Sequence, residues 1–195
     1  MKNQSQENQF FKVFLPLGVL LEFLLLTYFF VTKDSFGDVF RFAARYSGRL
    51  SFIVYVVCFY FFSNSFKQGC DLDKTRKGVI LFCVLHLIHF VFLALSVFLN
   101  QLPIIPFKLL GGFLAYFLII AYPFVIYRIK KVLYHFLYFY YVGFVMAMTF
   151  MARIKGEFQG ALPEPFHFIG LVTVVFVFIL FGAKIYSHKK RAMKT

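Results

Sequence analysis

Three histidine residues interrupt apolar stretches of this chain: His86 and His89 in one stretch and His135 in another. An ionisable ring inside a long apolar segment is costly unless it has a partner, so each histidine marks a candidate functional site. A neutral imidazole is the usual axial ligand of haem iron, and it also forms hydrogen bonds inside helix bundles. The pattern therefore indicates two alternatives: iron ligation by His86 or His89 together with His135, or hydrogen bonding alone.

The composition of the chain is that of a polytopic membrane protein. Hydrophobic residues make up 61% of the 195 residues, and phenylalanine alone occurs 32 times. Soluble domains are only about 45–50% apolar. The net charge of +13 lies in short segments between apolar runs. Charges so placed are typical of residues flanking membrane spans, and we expect no nucleic-acid binding.

Six apolar segments are visible, each close to the roughly 20 residues that a membrane-spanning helix needs. They cover about 11–31, 40–66 (or 50–66), 78–99, 108–127, 132–152 and 166–185. No repeat or linker divides them, so the sequence predicts one transmembrane domain over residues 1–195. The predicted fold class is an all-α membrane protein, a bundle of six transmembrane helices.

The lysine and arginine residues predict the orientation of this bundle. Fourteen of the 21 basic residues fall on the side that contains both chain ends, and seven fall on the other side. Because basic residues are enriched on the cytoplasmic side of membrane proteins, both termini are expected in the cytoplasm. The third and fifth helices then both run outward.

Depth in the membrane favours His86 over His89 as a counterpart of His135. At 1.5 Å per helical residue, His86 lies about 13 Å above Lys77, His89 about 18 Å above it, and His135 about 6 Å above Lys131. His86 is therefore the closer match to His135, in the inner half of the bilayer. His89, three residues further on, shares much of the same helix face. It remains an alternative ligand or a partner for a haem propionate.

Arg41, Arg45 and Arg49 recur every four residues and therefore share one face of a helix. Their spacing fits a solvated start to the second helix, and it also fits a basic cradle for an anionic group on the outer side.

Other small and polar residues are expected to serve packing. Glu22 is the acid inside an apolar segment, where it fits a structural hydrogen bond or a polar cavity. Gly48, Ser51, Gly111 and Gly112 are small residues of the kind that let helices approach closely in lipid.

Four short motifs occur in an order and spacing that resemble one known superfamily. They are Arg45-Tyr46-Ser47-Gly48, Arg76-Lys77-Gly78 followed by Leu85-His86, Gly112-Phe113-Leu114-Ala115, and Tyr134-His135-Phe136-Leu137-Tyr138. Across about residues 40–150 the chain resembles the ferric reductase-like transmembrane domain superfamily. That group includes ferric reductases, NADPH oxidases and bacterial MsrQ-type haem proteins.

This resemblance implies a b-type haem whose iron is held by His86 (or His89) and His135. Members with two haems carry a second histidine pair further along the same helices, where this chain has residues 100–103 and Met148 or Thr149. We therefore expect one haem b per chain. The implied protein is an electron-transfer subunit, and so an oxidoreductase component, of a bacterial inner membrane.

The resemblance also implies partners. No glycine-rich dinucleotide fingerprint is present, so electrons are expected from a cytoplasmic flavoprotein, through its flavin, or from membrane quinol. They would pass to an outer, periplasmic acceptor protein. Two other functions stay open: a cofactor-free transporter or channel for small solutes, which would use Glu22 and the histidines in a polar pathway, and a structural subunit of a membrane complex.

Overall fold

The computed structural model describes residues 9–65, 72–103, 106–158 and 162–192, and the regular elements in these ranges are helices without any strand. A π-helical turn, Phe10–Phe14, leads into the first α-helix. The α-helices are α1 (Leu15–Thr32), α2 (Phe36–Ser65), α3 (Asp73–Leu99), α4 (Pro106–Val125), α5 (Val132–Ile154) and α6 (Pro165–Ala192). The prediction of an all-helical fold is confirmed for the described part of the chain.

Five of these helices are long and apolar enough to cross a membrane, which makes the chain an integral membrane protein by length and composition. The five segments are Lys12–Thr32, Phe36–Ser65, Asp73–Leu99, Val132–Ile154 and Pro165–Lys184. The apolar part of α4, Leu110–Val125, is shorter. The number of spans and the cytoplasmic position of both termini therefore stay predictions. Phe66 and both chain ends lie outside the described residues.

Helix α2 begins at Phe36, before either predicted start, because Ser35 caps it. The Ser35 hydroxyl accepts a hydrogen bond from the backbone N–H of Asp38 at 3.1 Å. It also donates to the Asp38 carboxylate at 3.0 Å. The first of these bonds is the side-chain cap of a helix start and satisfies a backbone donor that would otherwise stay open, and the second links the two side chains.

Charged residues extend two other helices past their predicted limits. Helix α3 begins at Asp73 rather than Gly78, and α6 continues to Ala192 rather than Ile185. An acid in the first turn and basic residues in the last turn both stabilise the helix dipole. Helix α4 keeps its predicted length of 20 residues but lies two residues earlier, from Pro106 to Val125, with Pro123 in its last turn.

The helices form two compact units, and the division falls within α2 and α3. Unit 1 comprises Met1–Tyr55 and Lys77–Ile104, and unit 2 comprises Val56–Arg76 and Ile105–Thr195. Each unit is described separately below.

Aromatic and small side chains fill the core of each unit. In unit 1, Phe29 of α1 and Phe92 of α3 enclose Ala43 and Ala44 of α2. In unit 2, three rings stack in one column. The Phe59 and Phe139 ring centroids are 5.0 Å apart. Those of Phe62 and Phe139 are 4.8 Å apart. The same aromatic column positions the start of α5, where a predicted site residue lies.

Candidate functional site

The predicted iron ligands fall in different units. His86 and His89 belong to unit 1, and His135 belongs to unit 2. The surroundings of each histidine are therefore given by the contacts inside its own unit.

His86 is held by a serine of the neighbouring helix. Its Nδ1 lies 2.6 Å from the hydroxyl oxygen of Ser51, which is on α2. Ser51 is fully buried, and the ring of Phe82 lies one turn before His86 at a centroid distance of 5.1 Å. The hydrogen bond and the aromatic neighbour together restrict the orientation of the imidazole.

His89 lies against a glycine of α2. A Cβ atom added to Gly48 would lie 3.0 Å from Cε1 of the His89 ring. This distance is shorter than ordinary van der Waals contacts, so any larger residue at position 48 would force the His89 ring to move. The rings of His86 and His89 are 5.3 Å apart. The prediction that Gly48 serves close helix contact is confirmed.

The predicted role of the other small residues has a different outcome. Ser51 acts through its hydroxyl as well as its size, by bonding His86. A Cβ atom added to Gly112 would meet nothing within 4 Å, and one added to Gly111 would meet only the Tyr141 hydroxyl at 4.0 Å. The Gly111 carbonyl accepts a hydrogen bond from Tyr141 of α5 at 3.0 Å, but within the described residues no close helix approach requires a glycine at either position.

Glu22 of α1 also faces into unit 1. Its carboxyl is buried, with 1% of the side chain exposed. Ser47 of α2 donates a hydrogen bond to its Oε1 at 2.8 Å. Ser47 precedes Gly48 and lies one turn from Ser51, so α2 presents two serines and a glycine to the ionisable residues of α1 and α3. We call Glu22, Ser47, Ser51, His86 and His89 the unit 1 polar cluster.

The arginine row on α2 is half-buried. Arg41 forms an ion pair with Asp38 at 3.0 Å. It also donates to the side-chain oxygen of Asn100, which follows α3. Asn100 in turn donates to the backbone oxygen of Gly37 at 2.8 Å. These contacts join the start of α2 to the end of α3, so Arg41 contributes to structure inside unit 1.

The other two arginines lie over aromatic rings of their own helix. The guanidinium carbon of Arg45 is 5.0 Å from the centre of the Phe42 ring. That of Arg49 is 4.4 Å from the centre of the Tyr46 ring. Such cation–π contacts retain the positive charge. Because the three arginines stay partly exposed, a solvated helix start and an anion cradle both stay predictions.

His135 of α5 uses both ring nitrogens inside unit 2. Its Nδ1 lies 2.7 Å from the hydroxyl of Tyr122 on α4. Its Nε2 lies 3.1 Å from the backbone oxygen of Ile129, in the connection between the two helices. A carbonyl oxygen only accepts hydrogen bonds, so in this arrangement Nε2 carries the proton and Tyr122 donates to Nδ1. His135 therefore ties α4, its following loop and α5 together.

Tyrosines surround this histidine contact. Tyr122 stacks on Tyr138 with ring centroids 3.7 Å apart and planes within 9°. Tyr122, Ile129, Tyr134 and Tyr138 also line a mostly apolar groove of about 360 Å³. The two partners of His135 thus separate its ring from this groove.

Two further polar sites lie outside the polar cluster and the His135 contact. Ring nitrogen Nδ1 of His167 accepts the backbone N–H of Glu164 at 3.0 Å, so this buried histidine caps the start of α6. The second site is Tyr127, whose hydroxyl donates a hydrogen bond to the Asp73 carboxylate. Partial burial and this carboxylate raise the pKa of Tyr127 to about 12, and the nearby Arg76 opposes the rise.

Tyr122, Ser47 and the hydroxyl role of Ser51 were missed by sequence reasoning. Ser47 and Ser51 differ by four residues on one helix, which indicates a shared face. That spacing was the available signal for a polar side of α2. The chain has 12 tyrosines, and nothing in the sequence around Tyr122 distinguishes it from the others.

No family model, curated protein or solved structure matches this chain.

Proposed function

We propose that this protein is a haem-binding electron-transfer subunit of a membrane, with His86 and His135 as axial ligands of one b-type haem per chain. The proposal follows the motif resemblance, and one observation within each unit supports it. Both predicted ligands have Nδ1 within hydrogen-bond distance of a hydroxyl, Ser51 at 2.6 Å and Tyr122 at 2.7 Å.

Hydrogen bonding at one ring nitrogen is the usual condition of a metal-binding histidine. The bond fixes the tautomer and the ring orientation, which leaves the other nitrogen, Nε2, as the ligand atom. His86 fits this requirement when Nδ1 carries the proton and donates to Ser51. His135 fits it only when Nε2 leaves the Ile129 oxygen, at present 3.1 Å away, and the proton moves to Nδ1.

The chain's own residues then have defined tasks. A bound haem supplies one-electron chemistry through its iron. With a haem bound, Ser51 and Tyr122 would orient the two imidazoles and accept hydrogen bonds from their Nδ1 atoms. The buried aromatic side chains around them, such as Phe82 and Phe62, exclude water. We propose a cytoplasmic flavoprotein or membrane quinol as donor, and a protein outside a bacterial inner membrane as acceptor.

Single histidine variants test the ligand assignment. We expect His86→Ala and His135→Ala to lose the haem, because low-spin iron needs both axial ligands. His89→Ala should lower haem occupancy without abolishing it. His167→Ala is the matched control, since that histidine caps α6, and it should retain the haem. If His89→Ala is colourless while His86→Ala is not, the ligand lies one turn further out. Full haem content in all three variants refutes the assignment.

A second candidate function is a cofactor-free transporter or channel for small solutes. The unit 1 polar cluster favours it, because Glu22 and two histidines lie on apolar helices that face each other. Ionisable residues inside membrane spans often line substrate or ion pathways. A purified protein that stays colourless after haem supplementation would make this the leading function.

A further inference from the structure

The carboxyl group of Glu22 is the one acidic group in the unit 1 polar cluster. Its side chain is 1% exposed, whereas the neighbouring Leu21 and Phe23 are 44% and 64% exposed. The carboxyl therefore faces the other helices of unit 1, and the apolar neighbours face outward. Oε1 accepts a hydrogen bond from Ser47 at 2.8 Å. Oε2 is buried and has no hydrogen-bond partner among the described residues.

Besides Asp38, Arg41, Tyr46 and Tyr55 of α2 and Lys77 and Cys83 of α3, the helices around Glu22 carry four ionisable groups of unit 1. On α3 these are His86 and His89, and on α2 they are Arg45 and Arg49. The two arginines lie two residues to either side of Ser47, so they leave α2 on a different face from Ser47. Their guanidinium groups lie over aromatic rings of α2.

The packing of α1 on α3 is close at the turn before Glu22. A Cβ atom added to Gly18 would lie 3.0 Å from a methyl carbon of Leu81 and 3.4 Å from one of Leu85. Apolar side chains thus separate the carboxyl from that end of the unit. An ionised carboxylate in such surroundings would lose its hydration for a single hydroxyl partner, which is strongly unfavourable.

A metal cation does not fit this carboxyl. Ca²⁺ or Mg²⁺ needs about six or more oxygen ligands, and Glu22 meets one serine hydroxyl. Within the described residues, no group of three histidine, cysteine or acidic side chains is placed to hold a metal ion. A proton neutralises the charge and needs no ligand shell.

We propose that Glu22 is a proton-binding site within the membrane, where its carboxyl, hydrogen-bonded by Ser47, is held as the neutral acid and exchanges its proton with water. This site goes beyond the proposed function and does not require a haem. It places a proton acceptor of α1 against the face of α2 that carries Ser47 and Ser51, and Ser51 of this face contacts His86 of α3.

Dicyclohexylcarbodiimide is a suitable probe, because this lipid-soluble reagent modifies un-ionised carboxylic acids. The acid proton moves to one carbodiimide nitrogen while the carboxyl oxygen bonds the central carbon. The acyl group then moves from that oxygen to the other nitrogen, where it forms a stable N-acylurea. No atom leaves, so the peptide gains the whole mass of the reagent.

The experiment uses the full-length protein in membranes, with peptide mass spectrometry as the measurement. We expect the label on Glu22 and its loss in Glu22→Gln. Labelling should slow as the pH is raised, because the acid form is depleted. Glu157, which is exposed, is the control carboxyl and should stay unlabelled. The double variant Glu22→Gln with Leu24→Glu is the access control. It places a carboxyl at an exposed position of α1, and a label there shows that the reagent reaches this helix.

Two results would overturn the proposal. The first combines two findings. The reagent labels the Leu24→Glu control but not wild-type Glu22, and the infrared difference spectrum between wild type and Glu22→Gln shows no carboxylic-acid C=O band. The second is a label on Glu22 whose rate does not depend on pH, since that identifies a carboxyl closed to exchange. An acid band that disappears in Glu22→Gln and weakens at raised pH supports the proposal even where the reagent does not react.

Discussion

The hydrogen bond between Tyr122 and His135 can be removed with almost no change of shape, by Tyr122→Phe. The two side chains are 3% and 4% exposed, so water does not replace the lost hydroxyl. A buried polar atom left without its partner costs about 1–3 kcal/mol. Hydrogen bonds between membrane helices average nearer about 0.6 kcal/mol. We expect Tyr122→Phe to lower the free energy of unfolding by about 1–2 kcal/mol through the lost hydrogen bond. The loss should not exceed this range, because the stacking of the ring on Tyr138 is retained.

Reversible unfolding in mixed micelles, followed by far-UV circular dichroism, measures this loss. Tyr134→Phe is the matched control, since that tyrosine is 52% exposed on the same helix pair. Its effect should stay within about 0.5 kcal/mol. A double-mutant cycle with His135→Phe should show that the two substitutions are coupled. Equal losses for Tyr122→Phe and Tyr134→Phe, or additive effects in the cycle, would refute the assigned hydrogen bond.

Three further predictions concern topology, packing and titration. Reporters fused in the connection between α5 and α6 and at the C-terminus should report opposite sides of the membrane; the same side would contradict the six-span prediction. Gly48→Ala should destabilise the protein by about 1–3 kcal/mol through overpacking, whereas Gly112→Ala, where an added Cβ meets nothing within 4 Å, should not. Asp73→Asn should lower the pKa of Tyr127 from about 12, so that its phenolate forms at lower pH in an ultraviolet titration read against Tyr127→Phe.

The helical fold was predictable from the sequence because long apolar runs leave few alternatives. The ends of the helices were less predictable. Ser35 and Asp38 cap α2 through contacts that span three residues, and α4 begins and ends two residues earlier than predicted. The charged segment that begins at Asp73 was predicted to be a loop, yet it forms the first turn of α3.

The candidate site was predictable in its histidines and not in their partners. His86 and His135 stand out because an ionisable ring in an apolar run is rare. Ser51 and Tyr122 are common residues in membrane helices, and only the packing of α2 on α3 and of α4 on α5 brings them to the imidazoles. The second contact of His135, with the Ile129 backbone, involves a group that every residue carries. No sequence pattern identifies it.

The visible absorption spectrum of the purified wild-type protein, produced with an ample haem supply, tests the central claim most directly. A reduced-minus-oxidised difference spectrum with the bands of a low-spin b-type haem, together with a pyridine haemochrome value of one haem per chain, is the result we predict. A folded protein that carries no haem under these conditions would contradict the electron-transfer proposal.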